Sequence, residues 1–260
     1  MKNLLAASLL ICLLNSCYGP GVPDPYIVPD DRQKENRYYA PSAPNAPLLK
    51  KQYDLTGGFR ISSGTQFTVV DMQTAYMPGK HFGIGASYNF KGNLKSNNNF
   101  KTERGEIGAG YIMSIDSNFH FESYAGFGSG QINNIHYTGS SLIKNDYFFL
   151  QPAIVVSSDD GKVRFAFVSK FVGNQFHVGN ALFDHAREPL SASQIELIQN
   201  KPFHFLWEPG FVFRFGGEHV VFHVGYSFSK DITSSDLLQA TYNFSAGLSL
   251  KFNAFKQPIK

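Results

Sequence analysis

Ten charged side chains share one parity of an alternating pattern: the cations Arg60, Arg104, Arg164, Lys170, Arg214 and Lys251, and the carboxylates Asp71, Glu106, Glu122 and Glu208. His120, His204 and His223 fall on the same parity. Groups of both signs held together away from water have three uses. They can neutralise one another as a packed network, line a narrow polar path or small-ligand site, or exchange protons in catalysis. Buried charge is costly unless paired, and guanidinium with carboxylate pairs best. The favoured reading is therefore a lumen charge network of Arg60, Asp71, Arg104, Glu106, Glu122, Arg164, Glu208 and Arg214. A second cluster, Asp184-His185 with Arg187 and Glu188, could position a water for hydrolysis. It sits in a polar stretch in which no hydrolase motif is recognisable. No His-x-x-x-His or phosphate-loop spacing occurs, so no metal, cofactor or catalytic residue is assigned. Enzymatic activity is the least favoured class.

Cys17 carries a different chemistry. Lys2 precedes an apolar run from Leu4 to Leu14, too short for a membrane-spanning helix and suited to an export signal. Leu14-Asn15-Ser16-Cys17 resembles a bacterial lipobox. The resemblance implies cleavage before Cys17, a diacylglyceryl thioether on its sulfur and an acylated (palmitate-type) amine. Cys12 leaves with the signal, so the mature chain holds one cysteine and forms no internal disulfide.

The elements that must position these groups follow from periodicity. Residues 18–53 contain seven of the 13 prolines and no Phe, and read as an extended tether. All 25 Phe follow residue 53. From there apolar and small or polar residues alternate, the mark of strands with two unlike faces. His81–Phe90 sets Phe82, Ile84, Tyr88 and Phe90 against Gly83, Gly85, Ser87 and Asn89. Phe205–Phe215 sets Trp207, Phe211, Phe213 and Phe215 against Glu208, Gly210 and Arg214. Ten strands are expected: Leu55–Ser62, Gln66–Met77, His81–Phe90, Arg104–Tyr111, Phe119–Gly128, Tyr147–Val156, Val163–Phe171, Phe205–Phe215, Val220–Phe228 and Tyr242–Phe252. Ser193–Asn200 is predicted as a short loop helix with Ser193 and Glu196 as a capping box. Pro152 and Pro209, inside strands, should mark bulges. Glycine pairs such as Gly108/Gly110 and Gly126/Gly128 read as interior positions that admit large neighbours.

Short and long connections alternate, with the longest at Gln131–Asn145 and Gly173–Pro202. The predicted fold is all-β, an antiparallel up-and-down transmembrane barrel of ten strands with short periplasmic turns and longer outer loops. An interior filled by most of 25 Phe would overfill ten strands, so the aromatic face should meet lipid. The domain reading is a lipoprotein signal peptide at 1–16, the acylated Cys17 and tether at 17–53, and the barrel at 54–260.

Ser245–Phe252 matches polar-x-Gly-x-x-apolar-x-apolar and resembles the β-signal of outer-membrane barrels, with Gly247, Leu250 and Phe252 as its assembly-signal residues. Gly105-Glu106-Ile107-Gly108-Ala109-Gly110-Tyr111, Tyr124-Ala125-Gly126-Phe127-Gly128, Phe149-Leu150-Gln151-Pro152, Glu208-Pro209-Gly210 and Asn45-Ala46-Pro47-Leu48-Leu49 resemble landmarks of uncharacterised lipoprotein-type outer-membrane β-barrel proteins of Gram-negative bacteria. The resemblance implies fold and location and transfers no catalytic residue. Location is expected at the cell outer membrane, lipid-anchored through Cys17 with both termini periplasmic. The partners expected are outer-membrane lipid, the barrel-assembly and lipoprotein-processing machineries, and an envelope or extracellular partner at the outer loops.

Composition removes other classes. A net charge of +3, from 23 basic and 20 acidic residues, lacks the basic excess of a nucleic-acid binder. Two cysteines exclude a disulfide scaffold or a zinc ribbon. The mean hydropathy of −0.19 averages two opposite faces and hides the membrane signal. The expected role is structural or interactive at the envelope, with a narrow channel or ligand-binding barrel as the alternative and a surface hydrolase behind it.

Overall fold

Period-two alternation puts successive side chains on opposite faces of a sheet, and a sheet with one apolar face in lipid must close on itself to satisfy its backbone. The computed structural model has that closed form. It describes residues 36–43, 49, 52–64, 67–90, 100–136, 138–217, 219–233, 236–237, 239 and 241–253. The signal segment, Cys17, most of the tether and the loop at 91–99 lie outside the described residues.

The strands are β1 (Asp54–Gly64), β2 (Phe67–Tyr76), β3 (Phe82–Phe90), β4 (Phe100–Ser114), β5 (Phe119–Ile135), β6 (Ser140–Ser157), β7 (Val163–Leu182), β8 (Phe203–Gly216), β9 (Val220–Phe228), β10 (Lys230–Asp231) and β11 (Tyr242–Asn253). One helix, α1 (Pro189–Asn200), lies between β7 and β8. Each long strand pairs antiparallel with its neighbours, and β1 closes on β11 from Asp54↔Asn253 to Gly64↔Asn243. The result is a ten-stranded ring, with the two-residue β10 added to β8 beyond the end of β9.

All ten expected strands are present, but β4 to β7 are longer than the alternation of large apolar residues indicated. They run 15, 17, 18 and 20 residues, against roughly 9–11 needed to cross a bilayer. Most of Gln131–Asn145, expected as a loop, is instead the tip of the β5–β6 hairpin, closed by the His136 amide on the Gly139 carbonyl at 2.8 Å. Gly173–Pro202 is likewise largely structured, because β7 continues to Leu182 and α1 follows. The helix starts earlier than expected. Glu188 is its N-cap and Pro189 occupies the first turn, while Ser193 donates to the Leu190 carbonyl inside the helix and forms no capping box.

The prolines do not make bulges. Around Pro152 the β6–β7 ladder lapses between Leu150↔Phe171 and Ala153↔Val168 without changing register. Pro209 stands where the partner of β8 passes from β9 to β10, so its missing N–H faces an interruption in the ladder. The β6–β7 register shifts between Leu142 and Ile143, near the β5–β6 hairpin tip.

The outer wall is apolar: Phe127 is 73% exposed, Ile107 61% and Phe59 51%, with Phe165, Phe167, Phe211, Phe213 and Phe222 in the same band. A water-soluble monomer rarely shows an apolar patch beyond a few hundred Å². Here the apolar surface follows the barrel wall, as on a barrel whose solvent is lipid. Inside, aromatics lie over glycines. A Cβ on Gly110 would come within 2.5 Å of the Tyr124 ring, and one on Gly126 within 2.8 Å of Phe149. Gly128 faces Tyr147 still more closely. Large rings thus lie flat across the narrow interior. The lumen also has an apolar patch of Ala153, Val155, Ala166, Val168 and Val212.

Candidate functional site in the lumen

The inward parity of β4, β7 and β8 brings Arg104, Glu106, Lys170 and Glu208 to one level of the lumen, where Lys170 and Glu208 are register partners. Lys170 Nζ lies 2.6 Å from Glu106 Oε2. The Arg104 guanidinium stacks 3.9 Å above the Tyr147 ring centroid, a cation–π contact out of water. Tyr147 in turn donates to the Gly105 carbonyl at 3.2 Å and lies 3.3 Å from Glu106 Oε2. Two cations and two carboxylates make this level formally neutral.

Its centre is filled by residues 36–43. The Tyr39 hydroxyl donates to Glu208 Oε1 at 2.5 Å and accepts from Arg104 Nη1 at 2.8 Å. Arg104 also donates to the Ala40 carbonyl at 3.3 Å, and Lys170 Nζ donates to Ser42 Oγ at 3.0 Å. Asn243 Nδ2 donates to the Pro41 carbonyl at 3.3 Å, and the Ala43 amide reaches Asp71. Tyr38 and Tyr39 are fully buried. The stretch read as a tether outside the barrel is, over these residues, a strap within it.

Two further levels surround this one. Around β1 and β2, Arg60 Nη2 donates to Gln73 Oε1 at 2.8 Å and Ser62 donates to Asp71 at 2.5 Å. Gly247 lies against Arg60, and a Cβ there would meet Arg60 Cγ at 2.6 Å. Leu250 and Phe252 face outward. Towards the β6–β7 turn, Glu122 is within electrostatic reach of Arg164 and Arg214, and His223 lies 3.3 Å from Ser249 Oγ. Arg60, Asp71, Arg104, Glu122, Glu208 and Arg214 are buried, while Glu106 and Arg164 are half-buried. Lys251 pairs with Asp54 at 2.8 Å near the rim. His120, placed inward by parity, is partly exposed at the β4–β5 turn, 3.0 Å from Ser114 Oγ. A lumen cavity against Glu106, Gly108, Tyr124 and Phe149 measures about 20 Å³, room for about one water.

The β7–β8 segment covers one mouth of the barrel. Ile195 and Ile198 of α1 are buried in the cluster that holds Tyr38, Tyr39, Phe176 and Leu206. Glu188 accepts from the Thr138 amide at 2.9 Å and lies 3.1 Å from His136 Nδ1, while Ser141 Oγ is 2.8 Å from His136 Nε2. Burial holds the His136 ring below its ordinary pKa, with Glu188 opposing the shift in part. His204 and Asp231, 2.5 Å apart, are fully buried behind the same cover.

The geometry at Asp184 and His185 is that of a turn. Asp184 Oδ1 accepts from the Ala186 amide at 3.0 Å, and its Oδ2 meets Arg187 Nε at 3.3 Å. His185 stacks beside Phe183, 4.7 Å between centroids. No group of three or more His, Cys, Asp or Glu among the described residues could hold a metal ion.

Sequence reasoning missed Tyr39, Ser42, His136 and Asp231, and it grouped Glu188 with Asp184 and His185 rather than with His136. The Tyr38-Tyr39 pair was one of few apolar clusters, with Tyr26-Ile27-Val28 and Leu48-Leu49, in a stretch otherwise Pro-rich and charged.

No protein-family description and no curated protein is similar enough to match this chain. Several solved structures are similar in form. They include the translocator domain of the autotransporter NalP from Neisseria meningitidis, at 8% identity over 79% of this chain and 90% of that one, with a TM-score of 0.42. The N-terminal β-barrel domain of Pseudomonas aeruginosa OprF is 8% identical over 77% of this chain and 98% of that one, TM-score 0.37. The outer-membrane protease OmpT from Escherichia coli is 9% identical over 81% of this chain and 100% of that one, TM-score 0.37. With TM-scores below 0.5 these likenesses carry no argument about function, and the barrel rests on its own strand order.

Proposed function

We propose that the protein is an outer-membrane lipoprotein whose barrel is filled by its own N-terminal strap and serves as a structural or interaction element of the cell envelope. The short turns β2–β3, β4–β5, β6–β7 and β8–β9 face the periplasm, and the opposite end, with α1 and the β5–β6 hairpin, faces outward. The observation that carries this reading is the Tyr39 clamp. An aromatic side chain from outside the barrel wall occupies the middle of the lumen and bonds to both Glu208 and Arg104. A barrel filled in this way is expected not to conduct. Gly247, Leu250 and Phe252 are assigned to recognition by the assembly machinery, and the partner surface is the outer end. Cys17 supplies the lipid anchor.

Planar-bilayer recording tests the filled lumen. The full chain is expected to be silent, and a variant lacking Asn36–Ala43 is expected to conduct in discrete steps. Regular conductance by the intact chain, altered by Arg104 substitution, would instead support the channel alternative. Folding is checked by gel mobility before and after boiling, since a closed barrel should shift and an open sheet should not.

A further inference from the structure

The strap has a direction. At its start, Asn36 Nδ2 lies 3.1 Å from His136 Nδ1, and the Arg37 amide and carbonyl exchange hydrogen bonds with the Asn134 side chain at 3.3 and 3.1 Å. His136 and Asn134 belong to the tip of the β5–β6 hairpin, at the loop end. Tyr39 is at mid-lumen against Glu208 and Arg104. Beyond it, Gln52 Nε2 donates to the Pro78 carbonyl at 3.1 Å, and the Tyr53 amide to Met77 at 2.6 Å, at the β2–β3 turn. Tyr53 then takes a left-handed φ of 71° as the chain reverses into β1. The chain therefore enters the lumen at the loop end and leaves it at the turn end.

Everything before Asn36 must then start from the loop end. The centre of the lumen is already taken by Tyr39 and Ser42 against Glu208, Arg104 and Lys170, which disfavours a second pass. A path back along the outside would lay unpaired backbone in lipid, at several kcal/mol per unsatisfied group. The separation of 19 positions between Cys17 and Asn36 allows a reach of about 60 Å in extended form. That is ample to run from the rim to the adjacent leaflet without crossing the membrane.

We infer that Cys17 and its acyl chains lie on the loop side of the membrane, in the outer leaflet, so that the barrel acts as a conduit that displays its own lipidated N-terminus at the cell surface. This is opposite to the face that an even strand count suggests for the N-terminus. An even count places the start of β1 at the turn end, as found, but the strap carries the chain back across before β1 begins. The inference rests on the lipid anchor and barrel orientation proposed above.

The test uses single-cysteine variants of the full chain and a membrane-impermeant maleimide on intact cells, each variant first shown to be folded by its gel shift. An acylated Cys17 thiol is silent to the reagent. Asp30→Cys, with Lys34→Cys as a second probe of the same stretch, reports the N-terminal side. Ala186→Cys, beside α1, reports the loop end, and Ser117→Cys reports the β4–β5 turn. Asp30→Cys, Lys34→Cys and Ala186→Cys are expected to label on intact cells, and Ser117→Cys only after permeabilisation. Labelling of Ala186→Cys on intact cells, with Asp30→Cys and Lys34→Cys silent until permeabilisation, overturns the conduit while sparing the orientation. Ser117→Cys labelling on intact cells overturns the surface display because the barrel is inverted, and the orientation falls with it. A reactive thiol on the unsubstituted chain overturns it through the anchor, because Cys17 is then not acylated.

Discussion

The Tyr39 hydroxyl and the Glu208 carboxylate meet at 2.5 Å across 169 positions of sequence, both buried, with Arg104 on the other side of the same hydroxyl. One phenol thereby ties the N-terminal strap to two walls of the barrel. Removing only that oxygen leaves the ring in place and both charged partners short of a bond. Tyr39→Phe is expected to cost about 1–3 kcal/mol, read as a lower urea midpoint for loss of the heat-modifiable band. Unchanged stability would mean that the strap does not hold the fold together.

Lys170 and Glu106 form an ion pair whose side chains are largely shielded from water, and Lys170 also donates to Ser42. Breaking one partner strands a charge out of water, so Lys170→Met or Glu106→Gln alone should destabilise by about 3–5 kcal/mol. The double variant should lose much less than the sum. A double-mutant cycle that came out additive would show that the two groups act independently.

The nearest atoms to Gly83 are the ends of two side chains: a Cβ there would be 2.7 Å from the Tyr124 hydroxyl and 3.2 Å from Ile112 Cδ1. The Tyr124 hydroxyl is buried and makes no hydrogen bond among the described residues. Tyr124→Phe is therefore expected to be neutral or mildly stabilising. Gly83→Ala should cost about 1–3 kcal/mol from overpacking and should be largely rescued in the Tyr124→Phe background. Absence of rescue would place the clash at the backbone instead.

The cover at the loop end should respond to acid. His136 is kept below its ordinary pKa, chiefly by burial, so the folded cover prefers the neutral ring. Its contribution is fully present above the unfolded value of about 6.5 and is lost as pH falls through the lower folded value. Hydrogen exchange of the α1 amides is expected to speed up as pH falls below that of free histidine, after correction for intrinsic rates. His136→Gln should flatten the response, and an unaltered pH profile in that variant would assign the opening to another group.

The ten strands and their two faces were legible because alternation is local: a residue two positions along is on the same face whatever the rest of the chain does. Phe82, Ile84 and Tyr88 needed no partner to declare an outward wall. The upper parts of β5, β6 and β7 were not legible for a matching reason. Beyond the lipid zone Asn133, Asn134, Ser140 and Ser141 are interleaved with Ile132, Leu142 and Ile143, some of which turn inward, so the regular outward alternation of large apolar residues lapses while hydrogen-bonded pairing continues. Pro152 and Pro209 were expected to mark bulges and do not: the ladder is interrupted at each without a change of register, a distinction that depends on the partner strand and not on the local sequence.

The candidate site divides along the same line. Parity alone brought Arg60, Asp71, Arg104, Glu122, Glu208 and Arg214 into the interior, because inward orientation is a property of each strand by itself. What fills the space between them depends on the closed ring. Residues 36–43 have no period and no apolar stripe, and are held where Arg104, Lys170, Glu208 and Asn243 converge from four strands. By itself the sequence determined a lipid-facing barrel with a charged inner wall. Only the tertiary structure decided that the wall closes on the chain's own N-terminal strap, because those contacts exist only once β1 and β11 have met.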